Sequence, residues 1–346
     1  MLLYIGTYTK NTASYGIYTL DFDSDKQTFN EINVTQSTNP SFLSAYKNNL
    51  YTVNELPDAG SIESFGINSD GSLYAKNKIL FAGSASCHIA VHPQTRSVYA
   101  ANYGSGNIAG FTLLPDGVIG KNISLIQHEG SGPNKSRQQS AHAHSVNITP
   151  DGRYLLAADL GADKIFIYSI NNKDGSLTVN KNCAYAPTPP GEGPRHMTFN
   201  NKASTVYVIS ELKNNVLVYD YKAETGTLTQ MQSISVLPEE FTGESISADI
   251  HISPDNRFLY ASSRGWNGIS AFSIAPDGLL SEVKHYEGFG KTPRNFAVSP
   301  DGEYVFIAYQ DSDSIAAVKR DIRTGEIKEL VAKTTIPTPV CILISE

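Results

Sequence analysis

The sequence predicts an all-β protein, a seven-bladed β-propeller with four antiparallel strands per blade, on three observations. A short apolar segment anchored by an aromatic residue recurs through the whole chain at a spacing of about fifty residues. Each copy is followed by short runs rich in Val, Ile, Tyr and Phe, punctuated by Pro-Asp-Gly turns, and helical spacing is sustained nowhere. The last segment, "PVCILIS" (339–345), reads as a strand with nothing after it, while the first copy lacks the strand that opens every other one. Repeated four-stranded units whose ends complete one another make a closed propeller, read here as one domain spanning 1–346.

The copies align as "LLYIGTY" (2–8), "NLYTVNE" (49–55), "SVYAANY" (97–103), "YLLAADL" (154–160), "TVYVISE" (205–211), "FLYASSR" (258–264) and "YVFIAYQ" (304–310), with anchors Tyr4, Tyr51, Tyr99, Leu156, Tyr207, Tyr260 and Phe306. Before the anchor comes an inner strand, as in "SVNITP", "HMTFNN", "DIHISP" and "NFAVSP". After it come an alternating strand ("GNIAGFTL", "DKIFIYSI", "NNVLVYDY", "NGISAFSI", "DSIAAVKR"), a second turn and a more polar outer strand. Residues 339–345 are expected to pair beside residues 2–8 as the missing inner strand.

Composition narrows the function. Of 346 residues 40% are hydrophobic and 18% charged, and the formal charge of −7 comes without a basic stretch, which argues against nucleic acid as a partner. "MLLYIGTYTK" lacks a basic n-region and no apolar run approaches the roughly 20 residues of a membrane span, so no membrane association is expected. Cys87, Cys183 and Cys341 are odd in number and far apart, which suits a reducing, cytoplasmic setting. A monomer or weak homo-oligomer is expected.

The Asp residues of Pro-Asp-Gly at 115–117, 150–152, 276–278 and 300–302, and of Pro-Asp-Asn at 254–256, belong to turns: Pro presets φ, Asp bonds back to the backbone, and Gly or Asn accepts positive φ. "YGSGNIAG" (103–110) precedes no helix and is no dinucleotide fingerprint.

Antiparallel pairing sets the start of each inner strand beside the end of the next, so these positions collect at one mouth of the ring, opposite the Pro-Asp-Gly turns. Inner-strand starts give His88, His144, Arg195, Asp249 and Arg294. Second-strand ends give Glu55, Tyr103, Leu160, Glu211, Arg264 and Gln310, preceded by Asn54, Asn102 and Asp159. Three arginines converging on a cavity call for an anion, which a guanidinium binds bidentately at any physiological pH. His142 and His144, two apart on an extended segment, point the same way. A metal site would need Asp159 and Glu211 as further ligands; general acid–base work suits a histidine near neutral pH and is the preferred reading, with no metal and no cofactor. The polar insertion 128–144 is expected to fold over the mouth, with Arg137 and Gln138 reaching in.

"GSGPNKSRQQSAHAHSVNITPDGRYLLAADLGADKIFIY", "GEGPRHMTFN", "VYVISELKNNVLVYDY" and "ADIHISPDNRFLYASSRG" together resemble the propeller-type lactonases, the metal-independent 6-phosphogluconolactonases and their carboxy-muconate cyclase relatives. The resemblance spans essentially the whole chain. It implies cytoplasmic hydrolysis of 6-phospho-D-glucono-1,5-lactone in the oxidative pentose phosphate pathway, with the relatives' site residues falling on His144, Arg195, Glu211 and Arg264. Catalysis is then expected from His144, Arg195 and Glu211, and substrate binding from Arg137, Gln138, His142, Asp159, Arg264 and Arg294. The water-activating base is His144, with Glu211 second. A muconate-type cycloisomerase would use the same arginines for carboxylates. A protein-binding scaffold is disfavoured by a single tryptophan, Trp266, and by the charged mouth it would not need.

Overall fold

The structure, a computed structural model, describes residues 1–345 (of Glu282 the backbone only) and forms seven antiparallel sheets, the blades of a seven-bladed β-propeller. The first blade is made of Leu2–Thr7, Gly16–Asp23 and Thr28–Gln36, with Pro339–Ile344 as its inner strand. Leu3 faces Ile344, Tyr4 faces Leu343 and Ile5 faces Ile342, so the C-terminal segment completes this blade as the sequence indicates.

The second blade runs Pro40–Tyr46, Asn49–Asn54, Gly60–Ile67, Leu73–Phe81, and the third Ser86–His92, Ser97–Asn102, Asn107–Leu113, Ile119–Gln127. The fifth is Pro194–Phe199, Thr205–Ser210, Asn215–Lys222, Thr227–Ser235; the sixth Ile246–Ile252, Phe258–Arg264, Gly268–Ile274, Leu280–Glu287. The seventh is Pro293–Val298, Tyr304–Tyr309, Ser314–Arg320, Ile327–Thr335. The fourth departs from the four-strand pattern. Its inner strands are Ala143–Ile148, Tyr154–Asp159 and Lys164–Ile170, but its outer strand is split into Leu177–Val179 and Tyr185–Pro187, both paired with Lys164–Ile170. Between the pieces the chain leaves the sheet, because Asn180 and Asn182 donate their side-chain amides to the carbonyl of Thr225.

All seven anchors are fully buried. Alternation along each strand gives a blade two apolar faces, and within each compact unit such faces pack on neighbouring blades. The blades group into two compact units, residues 38–195 with 221–229, and residues 1–37, 196–220 and 230–345. In the first unit Tyr51, Val53 and Ile62 pack on Val98, Ala100 and Phe111, and Tyr99, Ala101 and Ile108 pack on Val146, Leu155 and Ala157. In the second, Leu3, Ile5 and Phe22 pack on Phe306, Ala308 and Ile315, Tyr207 and Val218 on Leu259 and Phe272, and Tyr260 on Phe296 and Ile307.

The Pro-Asp-Gly segments are turns. Gly117, Gly152, Gly278, Gly302 and Asn256 all have φ between 60° and 87°. Asp116, Asp151, Asp255, Asp277 and Asp301 each accept the backbone N–H two residues on, which occupies those carboxylates with turn geometry.

Candidate active site

The start of an inner strand meets the end of its partner, and in six blades the pairing slips there. In the first, second, third, fourth, sixth and seventh blades one extra residue enters the inner strand. The residues passed over by the register are Val340, Ser41, Cys87, His144 and Arg294 in five of these, and Ala248 with Asp249 in the sixth. Such a bulge turns one side chain out of the sheet's alternation and is a common device beside functional sites. Two of the candidate residues, His144 and Arg294, are bulge residues. Arg195, in the sequence Pro-Arg-His, occupies the frame that Arg294 holds in Pro-Arg-Asn.

His88 and Asp249 stand at inner-strand starts, as expected, and each has partners within the fold. His88 follows the residue passed over in its blade, Asp249 is the second of the two passed over in its own, and both are bound into the fold. His88 stacks on Phe42 with centroids 4.0 Å apart, and its Nδ1 accepts the Val146 N–H at 3.4 Å. Asp249 accepts from His196 Nδ1 at 2.7 Å, His251 Nε2 at 2.9 Å, the Asn295 amide and the Phe296 N–H. Burial alone would push the Asp249 carboxyl up; the charge of His251 and the hydrogen bonds from His196 and His251 outweigh it and hold it well below the usual carboxylate range. Burial opposes the charged form of His251, but the Asp249 carboxylate draws its pKa above the ordinary histidine value. Asn54 and Asn102 are likewise fully buried and spent on their own blades, Asn54 on Thr38 and Ser61, Asn102 on Asn107 and Ser86.

In the unit built on the second to fourth blades, the two histidines meet one ring. Tyr103 stacks on His142 at 4.6 Å and takes His144 edge-on at 5.6 Å. The His142 Nδ1 lies 2.8 Å from the Tyr103 carbonyl, which can only accept, so Nδ1 carries the proton there. His144 is 5% exposed, and its carbonyl accepts from the Cys87 thiol at 3.3 Å. Arg137 reaches Tyr103 Oη at 3.4 Å.

Asp159 and Gln138 have buried roles. Asp159 Oδ1 accepts the N–H groups of His142 and Ala162 while Oδ2 takes the Nδ1 proton of His128, whose buried ring stacks on Phe166. Gln138, expected to reach into the mouth, is fully buried; it donates to the Leu160 carbonyl and Asp163 and accepts the Asn134 N–H. Asp163 in turn accepts the N–H groups of Gly191 and Gly193, both at positive φ, which fixes the "GEGPR" segment leading to Arg195. Arg195 itself is 2% exposed.

In the other unit Glu211 pairs with Arg264 at 3.0 Å, and Arg264 also donates to the Ser247 carbonyl at 2.9 Å. Arg294 donates to Tyr8 Oη at 2.8 Å with its guanidinium 5.4 Å from that ring's centroid. Arg264 and Arg294 line one cavity of about 690 Å³, together with Asn214, Gln310, Asp311 and Glu244. Its wall at 244–246 is pinned by Ser245 to the Arg264 carbonyl and by Asn214 to the Ser245 carbonyl. Gly265, at φ 102°, lets the wall approach: a Cβ there would lie 2.2 Å from the Glu244 carbonyl oxygen. Among the described residues no three His, Cys, Asp or Glu side chains gather as a cation site.

Tyr8 carries no charge and is not singled out by residue type among the second-strand ends. It stands four residues past its anchor Tyr4, the same frame that yields Tyr103, Glu211, Arg264 and Gln310, so the repeat itself carried the signal.

Residues 2–344 match the family described as lactonase, 7-bladed beta-propeller. A 6-phosphogluconolactonase of Bacillus subtilis is 33% identical over 344 residues, covering 98% of this chain and 97% of that protein. Another 6-phosphogluconolactonase, from Formosa agariphila, is 32% identical over 95% of each chain. Among solved structures, the periplasmic gluconolactonase of Pseudomonas aeruginosa superposes with a TM-score of 0.94 at 30% identity, covering 99% of this chain and 98% of that one.

Proposed function

Since the chain belongs to the seven-bladed β-propeller lactonase family, we propose that it is a lactone hydrolase that opens 6-phospho-D-glucono-1,5-lactone to 6-phosphogluconate in the cytoplasm. The observation that carries the anionic substrate is the pair Arg264 and Arg294 lining a single cavity of about 690 Å³. That volume suits a small ligand, and planar guanidinium forks suit phosphate oxygens. Asn214, Gln310 and Asp311 line the same cavity and supply acceptors and donors for sugar hydroxyls. A muconate-type diacid fits it less well, because a second carboxylate would meet Asp311 and Glu244.

Hydrolysis adds water to the lactone carbonyl, and the tetrahedral oxyanion collapses with cleavage of the ring C–O bond, the ring oxygen taking a proton. In this proposal His144 removes the water proton and returns it to the leaving oxygen, with Glu211 as the alternative base. Arg195 stabilises the oxyanion. Arg264 and Arg294 hold the phosphate, and Arg137 and His142 assist binding. No metal or cofactor takes part.

The test is hydrolysis of freshly made 6-phosphogluconolactone against the unphosphorylated lactone, each corrected for spontaneous opening, with and without EDTA. We expect a clear kcat/KM preference for the phosphorylated lactone that survives chelation. His144→Ala should lower kcat by roughly 10²–10⁴-fold with KM nearly unchanged. Arg264→Ala and Arg294→Ala should raise KM for the phosphorylated lactone only. Equal turnover of both lactones would move the reading toward a gluconolactonase, and an inactive Glu211→Gln beside an unimpaired His144→Ala would transfer the base to the glutamate.

A further inference from the structure

Tyr8 follows the strand Leu2–Thr7 and belongs to the connection out of it. Its backbone is tied on both sides to one residue: the Tyr8 N–H donates to the Thr338 carbonyl at 3.1 Å, and the Thr338 hydroxyl donates to the Tyr8 carbonyl at 2.6 Å. Thr338 is held in turn, its N–H donating to Asp313 Oδ1 at 2.7 Å and its φ of 42° turning the chain into the closing strand Pro339–Ile344. From this fixed backbone the Tyr8 side chain meets Arg294 twice, through the hydroxyl at 2.8 Å and through the ring face at 5.4 Å. Arg294 lines the cavity, and Tyr8 meets it at the guanidinium.

An arginine loses much rotamer freedom when it is ordered, and a preset guanidinium spares a ligand that cost. A charge-assisted hydrogen bond and a ring face together fix the plane of the fork, which bidentate recognition of an oxyanion requires. We infer that Tyr8 is the positioning residue for Arg294, and that the strand closing the first blade thereby sets the anion-binding end of the cavity. The inference rests on the lactonase reading and adds a residue and a device that act on binding rather than on the chemical step.

A double-mutant cycle tests it: wild type, Tyr8→Phe, Arg294→Ala and the double variant, with Tyr8→Leu added to remove the ring. In the wild-type background Tyr8→Phe should raise KM for 6-phosphogluconolactone about tenfold, the scale of one hydrogen bond to a charged group, with kcat within about twofold. Tyr8→Leu should raise it further. With Arg294 already Ala, Tyr8→Phe should change KM by less than about twofold, because its effect passes through the arginine. Thr338→Val should move KM in the same direction by a smaller factor. Equal effects of Tyr8→Phe with and without Arg294, or a change in kcat alone, would overturn the positioning role and leave Tyr8 a structural residue. If wild type hydrolyses only the unphosphorylated lactone, the phosphate reading fails while the same cycle, run on that lactone, still decides the role of Tyr8. If it hydrolyses neither lactone, both readings fall.

Discussion

Asp249 shows how a buried carboxylate at an inner-strand start ties neighbouring strands together. It is 2% exposed and accepts four hydrogen bonds, two of them from histidines. Its carboxyl is held below its unfolded value near ~3.9, so its contribution is present above that pH and is lost as acid titrates the folded state. His251 runs the other way: its raised pKa gives stability that is full below ~6.5 and fades as pH rises through the folded value. The half-exposed His251 ring makes the second share the smaller. Asp249→Asn should therefore lower stability by about 2–3 kcal/mol, most between about pH 4 and 6.5, with the gap to wild type narrowing below pH 4 and slightly above pH 7. Thermal unfolding across pH 3–9 reads it; a gap that keeps its size at pH 3 would refute the ionic account. Charge and polarity at the inner-strand starts were legible in the sequence. The one-residue slip was not, because a bulge leaves no residue-type signature, so which of these residues the register passes over was not readable.

The hairpins on the turn side show a contact that recurs at three of the anchors. Tyr99, Tyr207 and Tyr260 donate their hydroxyls to the carbonyls of Gly175, Gly278 and Gly325, each in an outer hairpin further along the chain. Where the anchor lacks a hydroxyl, at Leu156 and Phe306, a tyrosine two residues earlier supplies it: Tyr154 bonds the Glu224 carbonyl and Tyr304 that of Ser24, both at 3.4 Å. The recurring tyrosine was readable in the sequence as a period. Its purpose, and the substitution by Tyr154 and Tyr304, needed the packing of one strand against another blade's turn. Tyr260 also accepts from Arg320 Nε, and that arginine is 3% exposed. Tyr260→Phe strands a buried guanidinium donor and should cost about 1–3 kcal/mol, whereas Tyr154→Phe, losing one long bond, should cost less than about 1 kcal/mol. Unfolding midpoints of the two variants decide it, and equal losses would mean the hydroxyls act only by filling space.

At the scale of the whole molecule the fold was legible because its signal is repeated: seven anchors, recurrent turns and an unpaired final strand agree with one another. The candidate site was legible only as residue types, since the Tyr8–Arg294 contact joins residues from opposite ends of the chain and the Glu211–Arg264 pair joins two blades. The pairing of Leu3 with Ile344 likewise spans nearly the full sequence. That has a consequence in time. Contacts so remote along the chain bear the largest loop-closure cost and form after local hairpins have narrowed the search. In refolding with pulsed hydrogen exchange, the amides shared between Leu2–Thr7 and Pro339–Ile344 should gain protection after those between Ser97–Asn102 and Asn107–Leu113; simultaneous protection would refute a late closure. Until that last pairing is made, Thr338 has nothing of Tyr8 to grip, so the protein should regain its sheets before it regains its affinity.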